Sequence, residues 1–348
     1  MPELLEFEEP VGVLLKEIEA LSMLPKTPER EKSIDSLRRR ADEIRVELFQ
    51  NLTPWQRVLV ARHPNRPNTL DYVERLFTSV DELHGDRRFA DDHAIVTGLG
   101  EYKGESIAFV GHQKGRDTKQ KIFRNFGYAR PEGYRKAMRV MQMAQKFSRP
   151  IIVFIDTPAA YPGMESEERG VAEAIAVNLR EMMMIEVPII VIVCGEGGSG
   201  GALGIAIGDR VMMQEFSVYS VIPPEGCAAI LWRDANKKVE AATALKITAH
   251  DMVALGLVDD IIPEPVGGAH NDYDTAAALV DQALSGALAD SARMTVPERL
   301  EARYAKFRRM GEEGTSFTDT GGDGNAGKPD VLAHRSLGEG GKAGPSGR

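Results

Sequence analysis

The two most apolar segments of the chain, with a helical segment between them, restrict the fold more than any other feature. Residues 151–155 and 189–194 consist of Ile, Val and Phe apart from one Cys. Residues 170–185 carry apolar side chains at helical spacing, namely Val171, Ala174, Leu179 and Met182. Strands that lack a polar face must be covered on both sides. The alternation therefore predicts an α/β fold in which a parallel sheet lies between helices.

Further elements extend this pattern. Strands are predicted at residues 94–98 and 106–111, joined by a turn at residues 101–104, and at residues 210–213. A helix is predicted at residues 131–147, because apolar side chains recur there every three or four positions.

The two ends of the chain differ from its centre. Two amphipathic segments flank residues 25–28, where Thr27 suits a helix N-cap and Pro28 the first helical position, so we predict an N-terminal helical hairpin. After about residue 311 almost no apolar side chains remain, which predicts a disordered C-terminal tail. We divide the chain into a helical arm (1–32), a central domain (33–300) and a C-terminal helix end with the tail (301–348).

Composition excludes several classes of protein. A formal charge of -9 gives no general attraction to nucleic acid or to an acidic membrane. The two cysteines, Cys194 and Cys227, form no CxxC pair, which argues against a disulfide scaffold and against a metal site. The start of the chain does not resemble a secretion signal, and the most apolar run, residues 188–194, is too short to cross a bilayer. These features predict a cytoplasmic protein that binds no membrane.

A dense glycine run at residues 195–201 follows the second apolar strand and allows three interpretations. Its GxGxxG spacing matches a dinucleotide-binding turn, with Glu215 about 20 residues on, but residues 201–208 leave little room for the helix of such a unit. Its GxSxG spacing places Ser199 as a hydrolase nucleophile, with His250 or His270 as candidate bases. The third interpretation is an oxyanion hole made of backbone N–H groups.

The loop after the first apolar strand favours the oxyanion hole. Residues 156–163, Asp-Thr-Pro-Ala-Ala-Tyr-Pro-Gly, leave that strand at the sheet edge where the glycine run also begins. Open α/β sheets bind ligands at the carboxyl ends of their strands.

These loops carry a resemblance to a known family. Together with residues 219–228 (Tyr-Ser-Val-Ile-Pro-Pro-Glu-Gly-Cys-Ala), they resemble the alpha subunit of bacterial acetyl-CoA carboxylase carboxyltransferase. The resemblance runs from about residue 7 to about residue 302. It includes Ala-Arg-His-Pro at 61–64, Gly-His-Gln-Lys-Gly at 111–115 and Pro-Glu-Gly-Tyr-Arg-Lys-Ala at 131–137.

The resemblance implies a fold, a reaction and partners. The fold is a crotonase-like spiral of ββα units. The reaction moves a carboxyl group from carboxybiotin to acetyl-CoA and forms malonyl-CoA, the first committed step of fatty acid biosynthesis. The partners are a zinc-containing beta subunit in a heterotetramer, a biotin carboxyl carrier protein and a biotin carboxylase. No biotin-accepting Met-Lys-Met sequence occurs here, so biotin is expected on the separate carrier.

Site residues follow from the same resemblance. The N–H groups of Gly200 and Gly201 would stabilise the biotin ureido oxygen, which leads us to expect that Gly201→Val cripples turnover and spares the fold. The remaining candidates for substrate binding are Tyr161, Pro162, Gly163, Ser199, Gly226 and Cys227. Ala159 stands where the family has glycine, and would strain the loop if its φ were positive.

A basic stretch remains outside this assignment. Lys114, Arg116, Lys119, Lys121 and Arg124 lie within eleven positions. Such a stretch suits the phosphates of coenzyme A or of RNA, and equally a solvated charged surface.

Overall fold

The computed structural model describes residues 4–311, which fold around one central sheet. The strands are β1 (Thr78–Glu82), β2 (Ile95–Tyr102), β3 (Glu105–His112), β4 (Ile151–Thr157), β5 (Ile189–Gly198), β6 (Arg210–Gln214), β7 (Val218–Ser220) and β8 (Asp260–Ile262). The helices are α1 (Glu9–Ser22), α2 (Pro28–Gln50), α3 (Pro54–Ala61), α4 (Thr69–Leu76), α5 (Thr118–Phe123), α6 (Pro131–Lys146), α7 (Met164–Glu168), α8 (Val171–Met184), α9 (Ser199–Leu203), α10 (Pro224–Trp232), α11 (Lys238–Ala244), α12 (Ala249–Ala254), α13 (Tyr273–Ala292) and α14 (Val296–Arg309).

The sheet has the order β1-β2-β3-β4-β5-β6-β8, and β7 pairs with the end of β5. From β3 onward neighbouring strands pair in parallel, as predicted, whereas β1 pairs with β2 and β2 pairs with β3 in antiparallel fashion. The β2–β3 turn is tighter than predicted, because only Lys103 and Gly104 lie outside the strands, both with positive φ. That geometry matches the twist of a two-residue hairpin.

Both faces of the parallel strands are covered, as their sequences require. On one face Val153 and Val191 pack in a core with Met141 of α6 and Met182 of α8. On the other face Phe154 and Ile192 pack with Tyr72 of α4 and Leu284 of α13. Alternate residues of β4 and β5 therefore enter different cores, which explains why neither strand has a polar face.

The N-terminal hairpin is present. The side chain of Thr27 accepts a hydrogen bond from the Arg30 N–H at 3.3 Å, and Pro28 is the first residue of α2. Val11 of α1 and Ala41 of α2 are buried.

The C-terminal helix α14 is anchored by a buried arginine. Arg303 pairs with Asp209 at 2.8 Å and donates to the carbonyls of Met182 and Ile185 at 2.7 Å. The boundary placed at residue 300 falls inside this helix. The predicted disordered tail lies outside the described residues apart from its first position, Gly311.

Candidate active site at the carboxyl ends of the central strands

The glycine run begins as strand and ends as helix. β5 extends to Gly198, four residues further than predicted, because β7 pairs with it through Gly197 and Gly198. The turn itself is short, since α9 begins at Ser199, whose φ of 50° is positive. A left-handed non-glycine residue is uncommon and marks a tightly constrained turn.

Gly200 and Gly201 occupy different surroundings. Neither N–H has an acceptor within residues 4–311, as the first turn of a helix leaves its amides free. Gly200 is partly exposed, and a Cβ atom there would make only an ordinary contact with Ile175 Cδ1 at 3.6 Å. Gly201 is buried, and a Cβ atom there would lie 2.9 Å from Ala159 Cα and closer still to the peptide between Ala159 and Ala160. The expectation that Gly201→Val spares the fold is therefore wrong.

The facing loop, residues 158–163, contacts the turn through its backbone. Gly198 lies against Pro158 and Gly201 against residues 159–160. Ala159 is not among the residues with positive φ, so its methyl group causes no backbone strain. The Tyr161 side chain does not contact the glycine run. Its ring lies 5.0 Å from the Arg130 guanidinium and against Gly163. Pro162 is exposed.

An apolar cavity of about 370 Å³ opens beside the turn. Ser199 and Gly200 form part of its wall, together with Tyr219 and Ser220 of β7. The other lining residues are Leu203, Ala206, Ile207, Val211, Val221, Leu245, Met252, Leu257, Phe307 and Met310. A small, largely uncharged ring system would fit such a cavity, and the Gly200 amide would meet it at the wall.

Gly226 and Cys227 do not line this cavity. Both lie in α10, where Cys227 is buried against Ala228 and Ala241 and Gly226 faces Ile222. Glu225, also in α10, pairs with Arg62 at 2.6 Å. Arg62 in turn pairs with Glu196 of the glycine run, so α10 is linked to the run through this arginine.

A chain of charged side chains crosses the strand ends below the turn. Lys114 lies 2.6 Å from Asp156 and 2.8 Å from Glu196, and Arg62 lies 2.6 Å from Glu196. Burial opposes the charge on Glu196, but Lys114 and Arg62 outweigh it and lower the pKa of Glu196 to about 2. Burial also opposes the charge on Lys114, yet the two carboxylates raise its pKa. Both groups are therefore ionised at neutral pH.

His112, at the end of β3, is enclosed beneath the same region. It is fully buried, neither ring nitrogen makes a well-aligned hydrogen bond within residues 4–311, and the backbone of Gly201 interacts with the ring. Burial, together with the charge of Lys114, lowers the pKa of His112 to about 3. The ring is neutral at physiological pH.

The geometry does not support a hydrolase or a dinucleotide site. Ser199 makes no hydrogen bond to a histidine in the described part of the chain; His270 stacks on His63 with ring centroids 3.9 Å apart, and His250 is exposed on α12. The helix after the glycines, α9, has only five residues.

The basic stretch is divided by the fold. Lys114 belongs to the charged chain, Arg116 pairs with Asp71 at 2.6 Å, and Arg124 donates to the His93 carbonyl at 3.1 Å. Lys119 is exposed and Lys121 partly exposed. No continuous basic surface results from these five residues.

No group of three or more His, Cys, Asp and Glu side chains within residues 4–311 is arranged to hold a metal ion. None of the helices there combines the length and the apolar character needed to span a bilayer.

Sequence reasoning missed the charged chain and most of the cavity. The sequence did contain a sign of Asp156 and Glu196, since each is a carboxylate at the end of an apolar strand. The cavity walls had none, because they come from positions between 199 and 310 that are far apart in sequence.

Comparison with known proteins places the chain in a family. Residues 4–311 match the model of the acetyl co-enzyme A carboxylase carboxyltransferase-like family. The acetyl-coenzyme A carboxylase carboxyl transferase subunit alpha of Geobacter metallireducens is 54% identical over 307 residues, which cover 88% of this chain and 96% of the relative. The subunit of the same name from Geobacillus kaustophilus is 52% identical over 310 residues, covering 88% and 95%.

Solved structures share the fold at lower identity. The transcarboxylase 12S crystal structure with methylmalonyl-coenzyme A matches with a TM-score of 0.53 at 21% identity, covering 66% of this chain and 43% of that one. A Pseudomonas malonate decarboxylase hetero-tetramer in complex with coenzyme A matches with a TM-score of 0.51 at 18% identity, covering 64% and 90%. The predicted crotonase-like fold is thereby confirmed. By its sequence and its fold, the chain belongs to the acetyl-coenzyme A carboxylase carboxyltransferase-like family.

Proposed function

We propose that this chain is the alpha subunit of an acetyl-CoA carboxylase carboxyltransferase, which acts in the cytoplasm to move a carboxyl group from carboxybiotin to acetyl-CoA and form malonyl-CoA. One observation carries the assignment of the site. Gly200, whose N–H has no acceptor within residues 4–311, lies in the wall of an apolar cavity at the carboxyl ends of the central strands. The names of the relatives supply the reaction.

The cavity would take the ring system of carboxybiotin, which supplies the carboxyl group to be transferred. Leu203, Ala206, Tyr219 and Leu257 would hold the rings by apolar contact. Such walls exclude water and strengthen the electrostatic effect of any hydrogen-bond donor beside them.

The glycine turn supplies those donors. The N–H groups of Gly200 and Gly201 would stabilise negative charge that develops on the ureido oxygen, a role that needs no side-chain nucleophile. Residues 159–160 contact Gly201. Tyr161, Pro162 and Gly163 follow them in the chain and remain candidates for substrate binding at the edge of the site. Ser199 contributes to the cavity wall, whereas Gly226 and Cys227 support it indirectly through α10.

The thioester of acetyl-CoA requires a second oxyanion site, which we assign to a beta subunit. The complete enzyme would be a heterotetramer of two alpha and two beta subunits, with zinc in the beta subunit. Carboxybiotin would arrive on a biotin carboxyl carrier protein that a biotin carboxylase has charged.

A charged substitution at the mouth of the cavity tests whether biotin binds there. Leu203 lines the cavity and is 44% exposed, while Leu255 is 57% exposed and does not line it. In the complex with the beta subunit, Leu203→Glu should raise KM for carboxybiotin about tenfold or more, because the carboxylate opposes entry of an apolar ring. KM for acetyl-CoA should change little, and Leu255→Glu should behave as the unmodified enzyme.

Assembly of both variants must first be verified by sedimentation. Equal KM values for carboxybiotin in the two assembled variants would remove biotin from this cavity.

A further inference from the structure

A largely enclosed cation near the glycine run has no role in the function proposed above. Lys114 follows β3, and its ammonium group lies between the carboxylates of Asp156, at the end of β4, and Glu196, near the end of β5. The three side chains are 19%, 5% and 12% exposed, respectively. They join three neighbouring strands at the edge where the site lies.

We propose that Lys114 is a positioning residue for carboxyl transfer: its ammonium group holds the facing loop and the glycine turn at a fixed separation, and so fixes the Gly200 amide. The inference rests on the proposed function, because it assigns Lys114 to the same site.

Asp156 couples Lys114 to the strand that leads into the turn. Its Oδ1 accepts the N–H of Glu196 at 2.9 Å as well as the ammonium group of Lys114. Gly195 leaves room for this carboxylate, since a Cβ atom there would lie 2.6 Å from Asp156 Cγ. A movement of Asp156 would therefore move the backbone four residues before Gly200.

The stem of Lys114 couples to the facing loop. A Cβ atom on Gly127 would lie 2.7 Å from Lys114 Cγ, so the two residues are in close contact. The hydroxyl of Thr157 interacts with the carbonyls of Gly127 and Ala159, at 2.7 Å and 2.9 Å. The backbone of Ala159 in turn contacts Gly201.

Charge explains why the lysine is needed. Without it, Asp156 and Glu196 would face each other as like charges with little exposure to solvent, a costly arrangement that is relieved by separation or by proton uptake. Arg62 neutralises Glu196 from the other side, but it is shared with Glu225. Either form of relief would shift the turn relative to the loop.

The test uses the complex with the beta subunit. Lys114→Met removes the charge and keeps most of the stem, Lys114→Arg keeps the charge, and Lys119→Met is the matched control. Lys119 lies five residues away, is exposed and makes no ion pair with the residues that the structure describes.

For Lys114→Met we expect kcat to fall about tenfold to a hundredfold, as is typical when a supporting contact is lost. KM for acetyl-CoA should stay within about twofold, because that substrate binds elsewhere. Amide hydrogen exchange should become faster in residues 157–163 and 195–203. Lys114→Arg should recover part of kcat, and Lys119→Met should match the unmodified complex.

The outcomes separate this inference from the proposed function. An unmodified complex that makes no malonyl-CoA contradicts the proposed function, and unchanged hydrogen exchange in Lys114→Met would independently contradict the positioning role. An active complex in which Lys114→Met equals Lys119→Met in kcat and in exchange overturns the inference alone. Should Lys114→Met fail to assemble, Lys114→Gln removes the charge and keeps a hydrogen-bond donor, and an unchanged kcat and hydrogen exchange in that variant likewise overturn it.

Discussion

Two adjacent glycines, Gly200 and Gly201, show how different the demands on neighbouring residues can be. Both have free amides, yet only Gly200 lines the cavity, and only Gly201 is pressed against another backbone segment. From the sequence the two positions look equivalent. The difference arises from the loop at residues 159–160, which is distant in the chain.

Alanine substitutions at the two glycines should therefore differ in their effect on stability. Gly201→Ala should lower the free energy of unfolding by about 1–3 kcal/mol, the usual cost of overpacking, because the methyl group meets backbone that cannot rotate away. Gly200→Ala should change it by no more than about 0.5 kcal/mol. Urea unfolding of both variants measures this. A Gly201→Ala variant as stable as Gly200→Ala would contradict the close approach of the two loops.

His112 should make the fold sensitive to acid. Its pKa is about 3 in the folded chain and 6.5 ordinarily, so below pH 6.5 the unfolded chain binds a proton that the folded chain excludes. Stability is complete above pH 6.5 and falls as the pH falls, by about 2 kcal/mol between pH 7 and pH 5. His112→Gln should remove this share of the pH dependence.

The matched control is His250→Gln, because His250 is exposed. Urea unfolding at several pH values would give the slopes. Some dependence should persist in both variants, since burial also lowers the pKa of His270 to about 3. Equal slopes in His112→Gln and in the unmodified chain would show that His112 titrates normally.

At the scale of elements, the sequence predicted those whose pattern is local. The apolar strands β4 and β5, the helices α6 and α8 and the hairpin capped by Thr27 all correspond to predictions. The strands that were missed are short or polar. β1 is Thr-Ser-Val-Asp-Glu with every residue exposed, and β7 and β8 have three residues each. Such segments become strands only because a neighbour offers backbone partners, which no local pattern records.

The anchoring of α14 provides a test at this scale. Arg303→Leu should lower the free energy of unfolding by about 3–5 kcal/mol, because it leaves Asp209 without its buried partner. Arg308→Leu on the exposed side of the same helix should cost no more than about 0.5 kcal/mol. Thermal or urea unfolding distinguishes the two. A small effect of Arg303→Leu would mean that α14 is held by its apolar contacts alone.

At the scale of the whole molecule, family and fold were predictable because the diagnostic loops are contiguous in sequence. The cavity was not, since α14 brings Phe307 and Met310 to a wall that begins at Ser199. The charged chain likewise joins Arg62, Lys114, Asp156, Glu196 and Glu225 from five separate segments. These five residues lie close together only because of the order of the strands in the sheet.

The central claim is that this chain supplies one half of a divided carboxyltransferase site. It is tested most directly by malonyl-CoA formation from carboxybiotin and acetyl-CoA, with the purified chain alone and with the beta subunit added. We predict no turnover from the chain alone and steady turnover once the beta subunit is present. Full activity from the chain alone would contradict the divided site, and no activity in a correctly assembled complex would contradict the function itself.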